Sequence, residues 1–297
     1  MKKTIVVAGA TGNLGELICH ELISKGAFVK ALVRAESQSE KIEKLKTSGV
    51  DVIIVNYDDS SQLSAACEGA SCVVSALAGL KDVIVTAQTQ LLNAAVQAGV
   101  PRFIPSDFCT DYTQLPKGAN RNFDLRKEFR IILDETDIKA TSFFNGAFSY
   151  VLEYGIPVFD TKNKTVACPN DKENWKIDFT TVADTAKFTA TAALDDLTPR
   201  NLRIASFQLS PLDFSLLGEQ LYGSPFVLQH QGTMEQFAQS IDRLRAADTD
   251  GETQLYPQWQ QMQYLYSMFS AQNTSLDNDR YPEINWTSAH NTLGKQY

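Results

Sequence analysis

Apolar residues along this chain fall into short runs separated by longer stretches of helical period, and the two kinds alternate. Residues 5–8 (IVVA) are such a run. It opens into Gly9, Ala10, Thr11, Gly12, Asn13, Leu14 and Gly15, and then Leu14, Leu17, Ile18 and Leu22 recur three and four apart. This predicts a strand, a glycine turn and an amphipathic helix. Further strands are predicted over 28–33, 51–56, 72–76, 102–105 and 138–144. Between them come a helix opening at Ser60 or Ser61, one over 82–98 with Ile84, Ala87, Leu91 and Ala95 inward, and one over 124–135 with Leu125, Phe129, Ile132 and Leu133 inward. Strand alternating with helix in this way implies a parallel sheet covered on both faces, an α/β doubly wound domain.

Past Gly155 the pattern changes. Residues 165–168 and 175–180 predict a hairpin around the polar turn 169–174, followed by a helix over 184–194 and a strand over 202–208. Ser210 with Asp213, and Thr233 with Gln236, have the spacing of capping boxes that open two more helices. In 258–271, Trp259, Met262, Tyr266 and Phe269 form one apolar stripe, suited to a core or to the roof of a pocket for a flat substrate. The expected division is a first domain over 1–155 and a smaller α+β lobe over 156–297, parts of which can return to the first sheet.

The glycine turn adds chemistry to this architecture. Gly9 permits the tight turn, Gly12 lets backbone approach a pyrophosphate, and Gly15 lets the helix sit close to the strand. The first N–H groups of that helix then face a ligand at the positive end of the helix dipole, which favours phosphate. A strand before the turn and a helix after it are the context in which such a motif binds a dinucleotide. Residues 28–33 end at Arg34, where the adenosine ribose would lie. An acidic residue there would take the 2′-hydroxyl, whereas an arginine takes a 2′-phosphate, so the reading is NADP(H) rather than NAD(H). Asn13, Lys41 and Lys44 are candidates to add a hydrogen bond or charge beside it. Tyr57 and Asp58 follow the third strand, within reach of an adenine. Ala76, Leu77 and Ala78 follow the fourth, as a small-residue passage for the dinucleotide. Asn145 and Phe148, with Tyr150, follow the sixth, where they would cover the nicotinamide.

Residues 106–122 form a long polar loop at the carboxyl edge of the sheet, carrying Ser106, Asp107, Cys109 and Tyr112. A tyrosine four residues before a lysine is an acid/base pair of short-chain dehydrogenases, but Tyr112 has Pro116 at that spacing and Lys117 lies one position too far. On the next helix, Lys127 points almost opposite the apolar face, while Arg126 lies on its flank, toward a cleft beside the sheet.

Composition narrows the partners. The chain has 297 residues, enough for a large core, and its net charge of -8 disfavours nucleic acid or an anionic membrane. Five cysteines without CxxC or metal-like spacing imply free thiols in a reducing compartment. The short apolar run behind two lysines is neither a signal peptide nor a spanning helix, so the expected location is the cytoplasm. No metal-binding cluster is found; His20, His230 and His290 are scattered.

At GATGNLG, ALVR, RFIPSDF, FDLRKEFRIIL with SFFNGAF, and IDFTTVADTAKFTATAAL, the sequence resembles the NmrA-like, isoflavone-reductase-like branch of the atypical short-chain dehydrogenases. The resemblance implies a Rossmann-type domain binding NADP(H) and a smaller C-terminal lobe that closes a substrate cleft over the nicotinamide. It also implies a lysine at the start of the helix before the sixth strand. Counting back from Ile138 and Thr141 puts that position at Arg126, with Lys127 one residue away. These two are the catalytic candidates: arginine can steer an anion or stabilise an enolate, whereas lysine can also act as a base. Two functions are consistent with this. One is NADPH-dependent reduction of a quinone, enone or similar conjugated carbonyl; the other is NADP(H) sensing without turnover. The expected partner is a flat, apolar small molecule, with a protein partner or a homo-oligomer left open.

Overall fold

In the computed structural model, which describes residues 2–294, the first apolar run becomes β1 (Thr4–Ala8). It is joined by β2 (Phe28–Val33), β3 (Asp51–Ile54), β4 (Cys72–Ser75), β5 (Arg102–Ile104) and β6 (Lys139–Ala140). All pair in parallel, in the order β3-β2-β1-β4-β5-β6. The strand order reverses between β1 and β4, so the crevice at their carboxyl ends is where such a sheet takes a ligand. Ile5 and Val7 face one layer, Val6 and Ala8 the other, and all four are fully buried. One layer contains α1 (Asn13–Ser24) and α2 (Ser39–Thr47); the other contains α3 (Ser60–Cys67), α4 (Gln88–Gln97) and α5 (Arg121–Asp134). Asp59, rather than Ser60 or Ser61, caps α3, its carboxylate accepting from the Gln62 N–H.

The strand expected over 138–144 is two. Its first part is β6; its second, β7 (Ser142–Phe144), pairs with β11 (Asn201–Arg203). The partner changes because β5 ends at Ile104 and leaves the later residues to pair elsewhere. The strand expected over 202–208 divides likewise into β11 and β12 (Phe207–Leu209). The hairpin expected over 165–180 does not form. Instead β9 (Thr165–Cys168) pairs in parallel with β13 (Val227–His230), and β10 (Ile177–Thr180) lies between β12 and β8 (Ala147–Phe148). Every residue of β10 is buried, so both its edges need backbone partners, which one hairpin neighbour cannot supply.

The helix α6 (Val182–Ala193) returns to the first sheet. Ala186, Phe188 and Ala190 are buried with Ile5, Ile18 and Val29, and Leu202 and Ile204 join them. Arg102, itself buried, donates to the Ala193 carbonyl (3.0 Å) and to Thr198 Oγ1 (2.6 Å), tying β5 to the end of α6. Both predicted capping boxes form, opening α7 (Pro211–Tyr222) and α8 (Met234–Ala247). The chain closes with α9 (Gln258–Met268) and α10 (Ala289–Leu293). All five cysteines are free and buried, and no described helix is long and apolar enough to cross a membrane.

Candidate active site

The site is built from the loops at the carboxyl edge of the sheet. Gly9 has φ +77°, and a Cβ there would come within 2.5 Å of the Ala76 carbonyl oxygen; one at Gly15 would come within 2.2 Å of the Gly9 oxygen. These residues are glycine because backbone from the end of β4 and from the turn itself fills the space. Gly12 is exposed and stands at the N-cap of α1, so no side chain caps the first-turn N–H groups of Asn13, Leu14 and Gly15. That leaves these N–H groups open at the helix start, an arrangement suited to an anion.

Arg34 is exposed immediately beyond β2, and among the described residues nothing hydrogen-bonds or ion-pairs with its guanidinium. Lys44, a candidate to join it, is instead paired with Glu16, while Lys41 has no partner among the described residues. Tyr57 is half-buried with its hydroxyl unpartnered. Burial pushes that hydroxyl up, with the Arg34 charge opposing. Asp58 is exposed and accepts from Gln90 Nε2 at 3.1 Å. Ala76 lies against Gly9, Ala78 is exposed, and the Leu77 carbonyl accepts from Ser106 Oγ at 2.6 Å, which joins the ends of β4 and β5.

The segment Asp82–Ala87 is wound wider than an α-helix, and Gln88, which follows it, is fully buried. Gln88 Nε2 donates to the Ile84 carbonyl (2.9 Å) and its Oε1 accepts the Ser106 N–H (2.9 Å). Nothing in the local residue pattern marks Gln88 for this positioning role.

Asp107 is buried. Its Oδ2 accepts from Tyr112 (2.9 Å) and Ser142 (2.7 Å), and its Oδ1 has no partner. Burial dominates and raises its carboxyl above the ordinary 3.8. For a carboxyl raised on folding, the stabilising contribution is present in acid and lost as pH climbs through the folded-state value. Asp107→Asn removes that loss, so its unfolding free energy relative to the unmodified protein should increase from acid to neutral pH in paired denaturant titrations. Tyr112, completely buried and edge-on to Phe144 at 5.2 Å, is a core residue.

On α5, whose N-cap Asn120 accepts from the Phe123 N–H, Arg126 donates through Nε to the Ser106 carbonyl and through Nη1 to the Asn122 carbonyl, both at 3.0 Å. Burial works against its charge and the acidic groups around it, Cys109, Tyr264, Asp107 and Tyr112, work for it, with the net direction up; a guanidinium keeps its charge in proteins in any case. Lys127 is held elsewhere: its Nζ donates to the carbonyls of Leu115 (2.9 Å) and Pro116 (3.1 Å) and pairs with Asp124 (3.2 Å).

Aromatic rings gather beyond β8. Phe148 stacks on Tyr150 (5.8 Å), and Tyr154 meets Tyr150 edge-on. The Tyr150 hydroxyl is raised by burial first and by Tyr256 and Tyr154 after it. Tyr256 in turn lies 6.3 Å from Tyr264, whose oxygen accepts from Asn122 Nδ2 at 3.0 Å. Burial pushes the Tyr264 phenol up to about 12, with Arg126 opposing, so the phenol is neutral around neutral pH. Arg121 fixes the segment bearing Tyr256 by donating to the carbonyls of Gly251, Glu252, Gln254 and Leu255.

Residues 1–271 match the NmrA-like family. The chain belongs to that family. Probable pinoresinol-lariciresinol reductase 3 of Arabidopsis thaliana is 25% identical over 300 residues, covering 97% of this chain and 93% of that protein. A crystal structure of isoflavone reductase superposes with a TM-score of 0.81 at 21% identity over 99% of both chains. The Citrobacter sp. triphenylmethane reductase complexed with NADP(H) gives 0.71 at 18% identity, covering 97% of this chain and 98% of that one. The likeness of fold therefore extends across nearly the whole chain.

Within this NmrA-like protein the fold brings together Gly9 to Gly15, Ala76 and Leu77 at the crevice, and Arg126 beside Ser106. Asn145 is buried, with Nδ2 3.4 Å from Thr185 Oγ1 and Oδ1 unpartnered. Lys127 is brought to the loop rather than to Arg126's partners. Lys127→Ala should therefore lower stability by about 0.5–1.5 kcal/mol, the net worth of a hydrogen bond, and leave NADPH affinity unchanged in calorimetry. The residues that sequence reasoning missed are Gln88, Tyr256 and Tyr264.

Proposed function

We propose that this NmrA-like protein binds NADP(H) and reduces a flat, conjugated aromatic molecule, of phenolic, quinone or enone type. One observation carries the reading: guanidinium groups flank the β1–β4 crevice, Arg34 beyond β2 without a partner and Arg126 beside the end of β5 with tyrosines near it. The residues fit the cofactor, since a Cβ at Gly9 or Gly15 would fill the turn and Arg34 matches a 2′-phosphate. The N–H groups of Gly12 to Gly15 would hold the diphosphate, Tyr57 and Asp58 the adenine side, and Asn145 and Phe148 the nicotinamide side. When bound, the cofactor supplies the hydride. Arg126 stabilises negative charge developing on a substrate oxygen, and Tyr264 holds a proton at its hydroxyl for an enolate. A quinone can take its protons from water. Relatives named for pinoresinol and for triphenylmethane support an aromatic acceptor.

Mixing the purified protein with NADPH and a panel of quinones, enones and phenolic ethers tests this. NADPH absorbance should fall with at least one acceptor, and no oxidation across the panel would count against a reductase. Tyr264→Phe should lower kcat on an enone by about 100-fold or more, with KM little changed and quinone turnover spared.

A second reading, NADP(H) sensing without turnover, is favoured by the fixed charge of Arg126 and by the engagement of Lys127 with backbone carbonyls. It requires clearly different affinities for NADPH and NADP+, because a ligand shifts an equilibrium only through differential affinity. Equal affinities in calorimetry would remove its basis.

A further inference from the structure

The C-terminal lobe contains a cavity of about 440 Å³, walled by β9, β13, α8 and α9 and by the turn at Gly155 and Pro157. None of its lining comes from the glycine turn, from residues 106–126 or from residues 145–148. The helix α9 separates it from the nucleotide half. Met262, Leu265 and Phe269 line the cavity, whereas Gln260, Gln263 and Ser267 bond with Asn120 and Arg121 at the start of α5.

The lining specifies a ligand chemistry. The floor is Cys168 and Phe269, each 1% exposed, and the rim is Gln229, Gln231 and Gln236, all exposed. No lysine or arginine lines it, and its one charged residue is Asp160, so an anion meets no attraction there. Gln236 Oε1 is committed to the Thr233 N–H at 2.9 Å, which leaves its Nε2 as a donor without an acceptor among the described residues. The volume lies within the range of about 300–1,000 Å³ usual for small-molecule sites.

We propose that this cavity is a second small-molecule site, which takes a neutral aromatic ligand bearing hydroxyl or carbonyl groups. The ring lies on the sulfur and phenyl groups of the floor, and the polar substituents meet the glutamine rim. The site does not depend on the NADP(H) reading.

The test is calorimetric titration of the full chain with 2-naphthol at saturating NADP+. Saturable binding is expected with a component that is unchanged by NADP+ or by Tyr150→Ala, and that is weakened about tenfold or more in Ala167→Phe and Ser240→Phe, which fill the cavity. A second measurement on the unmodified protein avoids any folding defect in those variants. Saturating 2-naphthol should slow N-ethylmaleimide labelling of Cys168 by about threefold or more, about 0.6 kcal/mol in occupancy, while the other cysteines label as before. Absence of saturable binding, displacement by NADP+, loss on Tyr150→Ala, unchanged affinity in folded filling variants, or an unchanged Cys168 labelling rate would each overturn the assignment.

Discussion

Replacing Gly9 with alanine is expected to abolish NADPH binding in calorimetry and to lower stability in denaturant unfolding. Two penalties combine at this position. The left-handed backbone, φ +77°, costs a residue with a Cβ about 1–2 kcal/mol. The added methyl would also stand 2.5 Å from the Ala76 oxygen and 2.7 Å from its carbon. That backbone cannot recede, because the Ala76 N–H is bonded to the Ala8 carbonyl at 2.9 Å and Ala8 and Ser75 are paired in the sheet. Overpacking of this kind costs about 1–3 kcal/mol more. Gly12→Ala is the matched control: its Cβ meets only the Gly9 oxygen, at 3.3 Å, so stability should change little while binding falls, since the methyl stands where the diphosphate would approach. A Gly9→Ala protein that keeps its NADPH affinity would place the cofactor elsewhere.

The second large effect is expected at Arg34. Arg34→Ala should weaken NADPH by roughly 10-fold to 100-fold, the range of a charge-assisted phosphate contact, and leave NADH unchanged. Arg34→Asp should go further and favour NADH, because a carboxylate repels the 2′-phosphate and accepts from a 2′-hydroxyl. Arg34 is exposed, so the loss should shrink as salt is raised. Equal losses for both dinucleotides would mean that Arg34 does not read the phosphate. Lys41, also without a partner among the described residues, is the group to combine with Arg34 if a residual preference for NADPH persists.

The sheet and its glycine turn were legible because each depends on local pattern. Strands buried on both faces read as continuous apolar runs, and capping boxes are set by residues three apart, as at Ser210 and Asp213. What escaped depends on partners distant in sequence. Gln88 shares the inward phase of Ile84 and Leu91, but its place there depends on the Ile84 carbonyl and the distant Ser106 N–H that its amide bonds. Gln260 and Gln263 lie outside the apolar stripe of that helix, yet they are buried, bonded to the Asn120 side chain and the Arg121 N–H at the start of α5. The hairpin expectation for β9 and β10 failed for the same reason, since adjacency in sequence did not decide who pairs with whom. For Arg126 and Lys127, helical phase separated the two side chains, but the anchoring of one at Ser106 and the other at Leu115 depends on loops distant in sequence.

The return of α6 to the back of the first sheet restricts how this protein can be dissected and how it can move. A fragment ending at residue 155 would lack Phe188 and Ala190, leaving a greasy flank on α1 and the adjoining strands that invites self-association. The two halves are stitched by more than one crossing of the backbone, so they cannot swing apart about a single pivot. Under the proposed reading, substrate would enter past the short segment carrying Tyr150, because Arg121 holds the one bearing Tyr256 by its backbone carbonyls.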